Sequence, residues 1–300
     1  MQLNLGLVFG LCLAASSALA DPITVNDGTH EVTLPDTPHR IVALEFSFVD
    51  ALASVDVSPV GVADDNDPAR IPDEVRDIVG DWTSVGTRPQ PSIEAIAALH
   101  PDLIIADLDR HSAVYDAFSA IAPTLLLPSR GEDYEGSLRS AALIGKAVDK
   151  QSQMQARLEQ HRASMADYAR RIPDGATMIF GAAREDSFSL HGPDSYDGSV
   201  LQSLGINVPE VRAQGGASDF VSLEQLLGLD PDYLLVGHYR RPSIIDTWNG
   251  DELWSILKAS DGRVISVDPN VWARNRGIMA AEKIAADTLA VLDGSFEQID

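Results

Sequence analysis

The chain has 300 residues, 45% of them hydrophobic, and a formal net charge of −23. That length can bury one large core or two lobes of ordinary domain size. The charge argues against nucleic acid or an anionic membrane surface as a partner. The single cysteine, Cys12, lies among the first 20 residues, so the remaining chain has no thiolate for metal binding, disulfides or nucleophilic catalysis.

The first 20 residues, MQLNLGLVFGLCLAASSALA, are apolar and end in Ala18-Leu19-Ala20. An apolar run that ends in such a site is typical of a secretory signal peptide, and it is too short for a membrane span. We therefore expect residues 1–20 to be removed on export.

The following hundred residues predict a hairpin and then alternating strands and helices. Residues 23–34 alternate around Asn26-Asp27-Gly28, which favours a β-hairpin. The acidic run at 64–67 lacks the spacing of a calcium loop and predicts a solvated turn. The strands are predicted at 40–44, 59–63, 103–106 and 124–127, and the helices at 50–55, 92–100 and 112–121. This alternation is typical of βαβ units and a mostly parallel sheet.

The segment from about 133 to 172 interrupts this pattern. It has no proline before Pro173, and apolar residues recur at roughly helical intervals. We predict one connecting helix, on the order of 60 Å long. The alternative is two helices with a break near Gly145 or Asp149.

After Pro173 the strand and helix alternation restarts and continues to a last amphipathic helix at about 277–292. The predicted fold class is therefore α/β, with two lobes of mostly parallel sheet, one long helix between them and a ligand cleft between the lobes. The predicted boundaries are 21–132 for the N-terminal lobe, 133–172 for the helix and 173–300 for the C-terminal lobe.

One sequence motif, which predicts a helix followed by a strand, occurs twice. Residues 92–106 read SIEAIAALHPDLIIA, and 130 residues later 222–236 read SLEQLLGLDPDYLLV. Each copy begins with a Ser that suits a helix N-cap and carries a Glu two residues later, Glu94 and Glu224. The repeat indicates equivalent places in two lobes.

Arginines follow the predicted strands in both lobes. The chain has 18 Arg and 4 Lys, and the Arg fork suits bidentate binding of carboxylates. In open α/β sheets ligands bind beyond the carboxyl ends of the strands, so we predict an anion-binding cleft. A genomic preference for Arg and the general polarity of loops are the alternatives. The arginines in question are Arg88, Arg110, Arg130, Arg184, Arg240, Arg241, Arg274 and Arg276, with Tyr239 and Trp272 among them.

Catalytic motifs are missing. The sequence has no G-x-S-x-G, no P-loop, no G-x-G-x-x-G after the first strand and no H-E-x-x-H. His111, His191 and His238 are predicted on the cleft side and could in principle form a metal site. A metal-dependent enzyme that uses them is therefore one alternative function.

Several stretches resemble one family over essentially the whole mature chain: RIVALEFSFVDALASVDVSPVGVADDND, WTSVGTRPQPSIEAIAALHPDLIIAD, MQARLEQH, SVLQSLGINVP and WARNRGIMAAEKIAADT. The sequence is similar to the periplasmic substrate-binding proteins of bacterial ABC importers for iron–siderophore complexes and vitamin B12, and within them to members that carry iron(III) dicitrate. The resemblance implies a periplasmic protein without enzymatic activity that binds ferric citrate between two α/β lobes.

The resemblance also implies roles for individual residues. The expected ligand-binding residues are Arg88, Arg110, Arg184, Arg240, Trp272 and Arg274, with weaker candidates in Glu45, Ser47 and Arg130. The expected contacts with an inner-membrane ABC permease dimer are Glu94 and Glu224, although the favourable charge at a helix N-terminus is a purely local explanation for both.

Further expectations are a monomer without a cofactor and without direct metal ligands, in which iron is bound only as its citrate complex. The alternatives left open are another ferric siderophore, haem or cobalamin in the same fold, and a sensor or scaffold domain without a ligand.

Overall fold

The computed structural model describes residues 22–173, 175–211 and 218–299. The signal peptide predicted for residues 1–20 lies outside these ranges. Within them, no helix is both long and apolar enough to cross a membrane.

The first lobe contains a hairpin, a parallel sheet and short helices. The hairpin predicted at 23–34 is confirmed, with Val25 opposite Val32. The elements are β1 Ile23–Asn26, β2 Glu31–Leu34, β3 Ile41–Ala43, α1 Phe46–Ala53, β4 Gly61–Val62, α2 Asp73–Val79, β5 Thr83–Ser84, β6 Gly86–Thr87, β7 Gln90–Pro91, α3 Ile93–Ala98, β8 Leu103–Asp107, α4 Leu108–His111, α5 Tyr115–Ser119 and β9 Thr124–Leu127. The main sheet has the order β5-β4-β3-β8-β9 and all its strands are parallel.

Two helices follow, α6 Tyr134–Ala147 and α7 Gln151–Arg171, and the prediction of one helix over 133–172 is wrong. Asp149 has a left-handed backbone (φ 57°), and the amide of Lys150 donates to the carbonyl of Gly145 at 2.7 Å. A Cβ on Gly145 would lie 2.4 Å from the Cβ of Met154, so this glycine allows α7 to turn back against α6. The connection is therefore an antiparallel helical hairpin, and α7, about 30 Å long, leads into the second lobe.

The second lobe contains a mixed sheet. Its elements are β10 Met178–Ala183, β11 Phe188–His191, α8 Tyr196–Ser203, β12 Ser218–Phe220, α9 Leu223–Leu229, β13 Tyr233–His238, α10 Ile244–Trp248, β14 Val264–Val267 and α11 Ile278–Asp293. The sheet has the order β12-β11-β10-β13-β14, in which β10, β13 and β14 are parallel, while β11 and β12 pair antiparallel at one edge. The two α/β lobes predicted from the sequence are thus confirmed.

One hydrophobic cluster spans both lobes, and each lobe also has a smaller cluster of its own. Buried residues of α1, α6, α7, α8 and α11 belong to a single cluster that extends from Phe46 in the first lobe to Trp272 in the second. Asp50 of α1 is 1% exposed and accepts hydrogen bonds from the first amides of α11, those of Met279 and Ala280, at 3.1–3.2 Å. A carboxylate of one lobe thus caps a helix of the other.

Candidate functional site

A cleft of about 840 Å³ lies between the lobes. Its walls include the turns that follow β8, β9 and β10 and the segments after β13 and β14, at the carboxyl ends of parallel strands, together with the β6–β7 turn, parts of β11 and β12 and the start of α8. That is the position at which open α/β sheets bind ligands, and the volume is within the range of about 300–1,000 Å³ usual for small-molecule sites.

The local charge of the cleft is opposite to that of the whole chain. Three carboxylates line it, Asp109, Glu132 and Asp197, together with one histidine, His191. The lining also contains twice as many arginines as carboxylates, namely Arg88, Arg110, Arg130, Arg184, Arg274 and Arg276. The cleft therefore favours anions although the net charge of the chain is −23.

Arg88 is in the two-residue turn between β6 and β7 and is held mainly by the protein itself. Its backbone amide and its Nε and Nη2 donate to the carboxylate of Asp65 at 2.8–3.1 Å, and its guanidinium lies 3.9 Å above the ring of Phe46. Burial would raise the pKa of Asp65, but the hydrogen bonds and charge of Arg88 outweigh it and the pKa is lowered. Arg88 is 7% exposed, so it offers a ligand little more than one edge of its fork.

The acidic turn at 64–67 is solvated only in its second half, since Asn66 and Asp67 are exposed whereas Asp64 and Asp65 bond other parts of the protein. Asp64 is 1% exposed and accepts hydrogen bonds from Trp82 Nε1 at 3.1 Å and Ser84 Oγ at 2.5 Å. Asp65 beside it has a left-handed backbone (φ 60°), which directs its carboxylate to both Arg88 and Arg70. Composition alone gave no signal for this role, because Trp82, Ser84 and Arg88, which bond these carboxylates, follow them by 18 to 23 residues.

Glu45 lies behind the first-lobe wall, at the N-cap of α1. It is fully buried, with its Oε1 2.6 Å from Arg110 Nε and its Oε2 3.5 Å from Arg88 Nη1. Burial raises the pKa of Glu45, and the charges of Arg88, Arg110 and Arg276 oppose that effect. The structure therefore places Glu45 under the arginines and not in contact with the cleft, contrary to its predicted role as a ligand contact.

His111 ties the turn of Arg88 to the end of β8. Its Nδ1 accepts from the amide of Asp107 at 2.9 Å, so its Nε2–H donates to the carbonyl of Arg88 at 2.8 Å. Burial lowers the pKa of His111. Asp107 in turn accepts from the amides of Ser129 and Arg130 at 3.0 Å. Both nitrogens of His111 are thus used internally, which leaves none for a metal ion.

The second-lobe wall presents arginines around an aromatic ring. Arg184 is exposed and its guanidinium lies 4.8 Å from the ring centroid of Tyr239, while that of Arg274 lies 4.1 Å from it. Arg274 Nη1 also donates to Asn270 Oδ1 at 2.8 Å. Cation–π contacts of this kind hold guanidinium planes in place and leave their N–H edges available for anions.

Arg276 follows the strand β14 and was noted in the sequence, but it was not among the candidate ligand residues. It lines the cleft, and its Nη1 is buried without a hydrogen-bond partner among the described residues. Burial lowers the pKa of Arg276, and Glu45 counteracts this. An unsatisfied guanidinium nitrogen needs an acceptor, so Arg276 belongs with the anion-binding residues. The signal for it was its place two residues after Arg274 in WARNRG.

Besides Glu45, three predicted ligand residues lie outside the cleft. Trp272 is fully buried, stacks on Phe180 and donates from Nε1 to Asp287 at 3.0 Å, so its predicted ligand contact is corrected to a core role. Ser47 is 9% exposed and its Oγ is 2.7 Å from Ser129 Oγ, away from the lining. Arg240 does not line the cleft either; its side chain is 73% exposed and 3.8 Å from Glu185. Their positions relative to the strands were right, but side-chain direction depends on packing.

The histidines do not form the alternative metal site. His191 Nδ1 donates to Asp197 at 2.7 Å, and His238 Nδ1 is 3.0 Å from Ser243 Oγ. In the described ranges, no group of three or more His, Cys, Asp or Glu side chains could hold a metal ion.

Glu94 and Glu224 lie in the first turns of α3 and α9, and both are exposed. The Ser caps predicted from the repeat are present: Ser92 Oγ accepts from the amide of Ala95 at 3.1 Å and Ser222 Oγ from that of Gln225 at 3.3 Å. Hydrogen bonds from the Ser222 side chain and from the backbone amide of Glu224 itself lower the pKa of the Glu224 carboxyl. The two copies therefore have equivalent local structure on the two lobes.

Curated relatives cover nearly the whole chain. The Fe(3+) dicitrate-binding periplasmic protein FecB of Escherichia coli (strain K12) is 55% identical over 94% of this chain and 93% of its own length. The Fe(3+)-citrate-binding protein YfmC of Bacillus subtilis (strain 168) is 38% identical over 92% of this chain and 88% of its own.

Solved structures with this fold include the petrobactin-binding protein YclQ of Bacillus subtilis, with a TM-score of 0.77 at 24% identity over 91% of this chain and 99% of that one. Staphylococcus aureus SirA complexed with staphyloferrin B has a TM-score of 0.76 at 22% identity over the same shares. Likeness at these identities shows the fold alone. Residues 41–271 match the model of the periplasmic binding proteins, and this chain therefore belongs to the Peripla_BP_2 family of periplasmic binding proteins.

Proposed function

We propose that this protein is a periplasmic substrate-binding protein that captures ferric citrate and delivers it to an inner-membrane ABC transporter. The observation that carries the proposal is the lining of the cleft between the lobes, which contains six arginines and only three carboxylates. The name of the 55% identical relative, which specifies Fe(3+) dicitrate, supports the choice of ligand.

Ferric citrate complexes are anionic and carry carboxylate oxygens on their surface, whereas guanidinium groups are donors only. Each charge-assisted hydrogen bond between them is worth about 1.5–3 kcal/mol. Arg184 and Arg274 on the second lobe and Arg110 and Arg130 on the first would contact the complex from opposite sides. Haem or cobalamin would favour a more apolar, aromatic lining than this one.

The net charge of −23 does not prevent capture of an anion. Exposed charges are screened beyond about 8–10 Å at physiological salt, whereas the arginines of the cleft act at contact distance. The local field of the cleft therefore decides the sign of the interaction.

In this proposal iron is the cargo and not a cofactor. It stays within its citrate ligands, the protein performs no chemistry on it, and the protein acts as a monomer. Glu94 and Glu224 would dock with the two halves of a permease dimer, since they occupy equivalent exposed positions on the two lobes.

Calorimetric titration with ferric citrate tests the ligand. The sharpest comparison is between Arg184→Ala and Arg240→Ala, because both remove an exposed arginine of the second lobe and only Arg184 lines the cleft. We expect Arg184→Ala to weaken binding at least about tenfold, equivalent to about 1.4 kcal/mol, and Arg240→Ala to leave it within about twofold. No binding of ferric citrate alongside clear binding of a hydroxamate or catecholate complex or haem would refute the ligand assignment.

A further inference from the structure

Glu45 is a fully buried carboxylate directly behind the cationic wall of the cleft. It comes from the junction of β3 and α1, whereas the two arginines it contacts come from the β6–β7 turn and from α4. One carboxylate thus joins three segments of the first lobe. Asp107, Arg276 and Asp65 are the other charged groups near this cluster.

A negative charge at this place is unfavourable for anion binding on electrostatic grounds alone. It lowers the positive potential of the cleft, and its burial without pairing would be costly. Its contribution to binding must therefore come from geometry.

The contacts indicate what that geometry is. Glu45 Oε1 lies 2.6 Å from Arg110 Nε in a buried ion pair, and neither atom has a hydrogen-bond partner among the described residues. The Arg110 side chain is 16% exposed and lines the cleft. With the Nε edge occupied by Glu45, the two terminal amino groups are those left for a ligand. Arg88 depends less on Glu45, which lies 3.5 Å away, because Asp65 already holds its guanidinium at 2.8 Å.

We infer that Glu45 is a positioning residue, which fixes the guanidinium fork of Arg110 for the anionic ligand and does not contact the ligand itself. This inference rests on the proposed function only for the identity of the ligand. A fork held in advance loses less conformational freedom on binding, and affinity depends strongly on such preorganisation.

The replacement Glu45→Gln separates positioning from electrostatics by the sign of its effect. It keeps the size of the side chain and makes the cleft more positive by one charge. Electrostatics alone would tighten the binding of ferric citrate, whereas loss of positioning weakens it, and we expect a Kd about tenfold higher. Asp287→Asn is the matched control, since Asp287 is another buried carboxylate (5% exposed) that bonds Trp272 away from the cleft; we expect its Kd to stay within about twofold of wild type.

A double-mutant cycle tests whether Glu45 acts through Arg110. In the Arg110→Gln background, Glu45→Gln should cost no more than about twofold, because the fork it positions is absent. A cost that remains tenfold there, or a Kd of Glu45→Gln that equals or improves on wild type, would overturn the inference.

A measurement without ligand keeps the two proposals distinguishable. In the ligand-free protein, the Arg110 Nε–H should give a resolved, exchange-protected signal in ¹⁵N NMR, assigned by its loss in Arg110→Lys. Glu45→Gln should move this signal to the position of a solvent-exposed arginine. An unchanged signal in a folded variant would reject the positioning role even if ferric citrate binds, and a moved signal would support it even if ferric citrate does not bind.

Discussion

Glu282 of α11 anchors the second lobe to the connecting helix α7, and its removal has a calculable effect. Arg157 donates to both carboxylate oxygens at 2.8 Å, and His161 Nδ1 donates to Oε1 at 2.8 Å. The Tyr134 hydroxyl donates to His161 Nε2 at 2.5 Å, so the network includes α6. All four residues are in helices that form the contact between the lobes.

The stabilisation that this network contributes follows from the pKa of Glu282. Partial burial would raise the pKa of Glu282, but the hydrogen bonds from His161 and Arg157 and the charge of Arg157 outweigh it and lower the pKa from 4.5 to about 2. Each tenfold change in proton affinity is worth about 1.4 kcal/mol, so the network stabilises the native state by about 3 kcal/mol at neutral pH. Glu282→Gln should therefore lower the free energy of unfolding by about 3 kcal/mol at pH 7, and the melting temperature by roughly 6 °C or more.

The pH dependence provides the stricter test. Because the pKa is depressed in the native state, the stabilisation is present above pH 4.5 and is lost as the pH falls from 4.5 towards 2. Urea unfolding of both proteins, followed by tryptophan fluorescence and circular dichroism, should show a gap at pH 7 that narrows between pH 5 and pH 3. Coincident transitions of the two probes are required for a two-state treatment.

Glu252→Gln is the control for Glu282→Gln, since Glu252 is exposed in a short 3-10 helix. We expect it to change stability by less than about 0.5 kcal/mol. A loss below about 1 kcal/mol for Glu282→Gln at pH 7, or a gap that does not narrow in acid, would refute the reasoning.

Three other predictions concern the lobe contact, the core and the docking surface. Burial raises the pKa of Asp50 from 3.8 to about 6, against the lowering effect of the Met279 and Ala280 amides. The charge of Asp50 therefore costs stability above pH 6, and this cost is relieved as the pH falls towards 4. In urea titrations, the stability of Asp50→Asn relative to wild type should rise by about 3 kcal/mol from pH 4 to pH 8. Trp272→Phe should lose about 1–3 kcal/mol of stability, because the hydrogen bond to buried Asp287 is removed, and should keep the Kd for ferric citrate within about twofold. Glu94→Ala combined with Glu224→Ala should preserve ligand affinity and lower citrate-dependent iron uptake in cells.

Each of these outcomes can be contradicted. A flat stability difference between pH 4 and pH 8 would reject the assignment of a charged Asp50 buried at the lobe contact. A large loss of affinity in Trp272→Phe with unchanged stability would restore the ligand role that the structure removes. Unchanged iron uptake in the double Glu variant would leave only the local helix-dipole explanation for the two residues.

In the segment 133–172, the sequence predicts the helical content but not the turn between the two helices. The helical content of 133–172 was predictable, because proline is absent and apolar residues recur at helical spacing. The turn was not, because Asp149 in the left-handed region and the absent side chain of Gly145 act through the contact with Met154. The alternative of a break near these two residues was the correct one.

The sequence alone determined the lobes and the sign of the cleft. Two local patterns carry this information: the repeated motif at 92–106 and 222–236, and the arginines after the strands. Local patterns of this kind specify helices and strands, and the ends of the strands at which the ligand-binding loops lie. Only the tertiary structure decided which of these side chains reach the cleft. Trp272 points into the core, and Glu45 lies beneath Arg110. Arg276 faces the cleft with a nitrogen that has no hydrogen-bond partner in the described part of the chain. The physical reason is that a side chain's direction and its partner are set by packing between segments distant in sequence, in this case between residues as far apart as Arg88 and Arg274, and no single stretch of the chain encodes that contact.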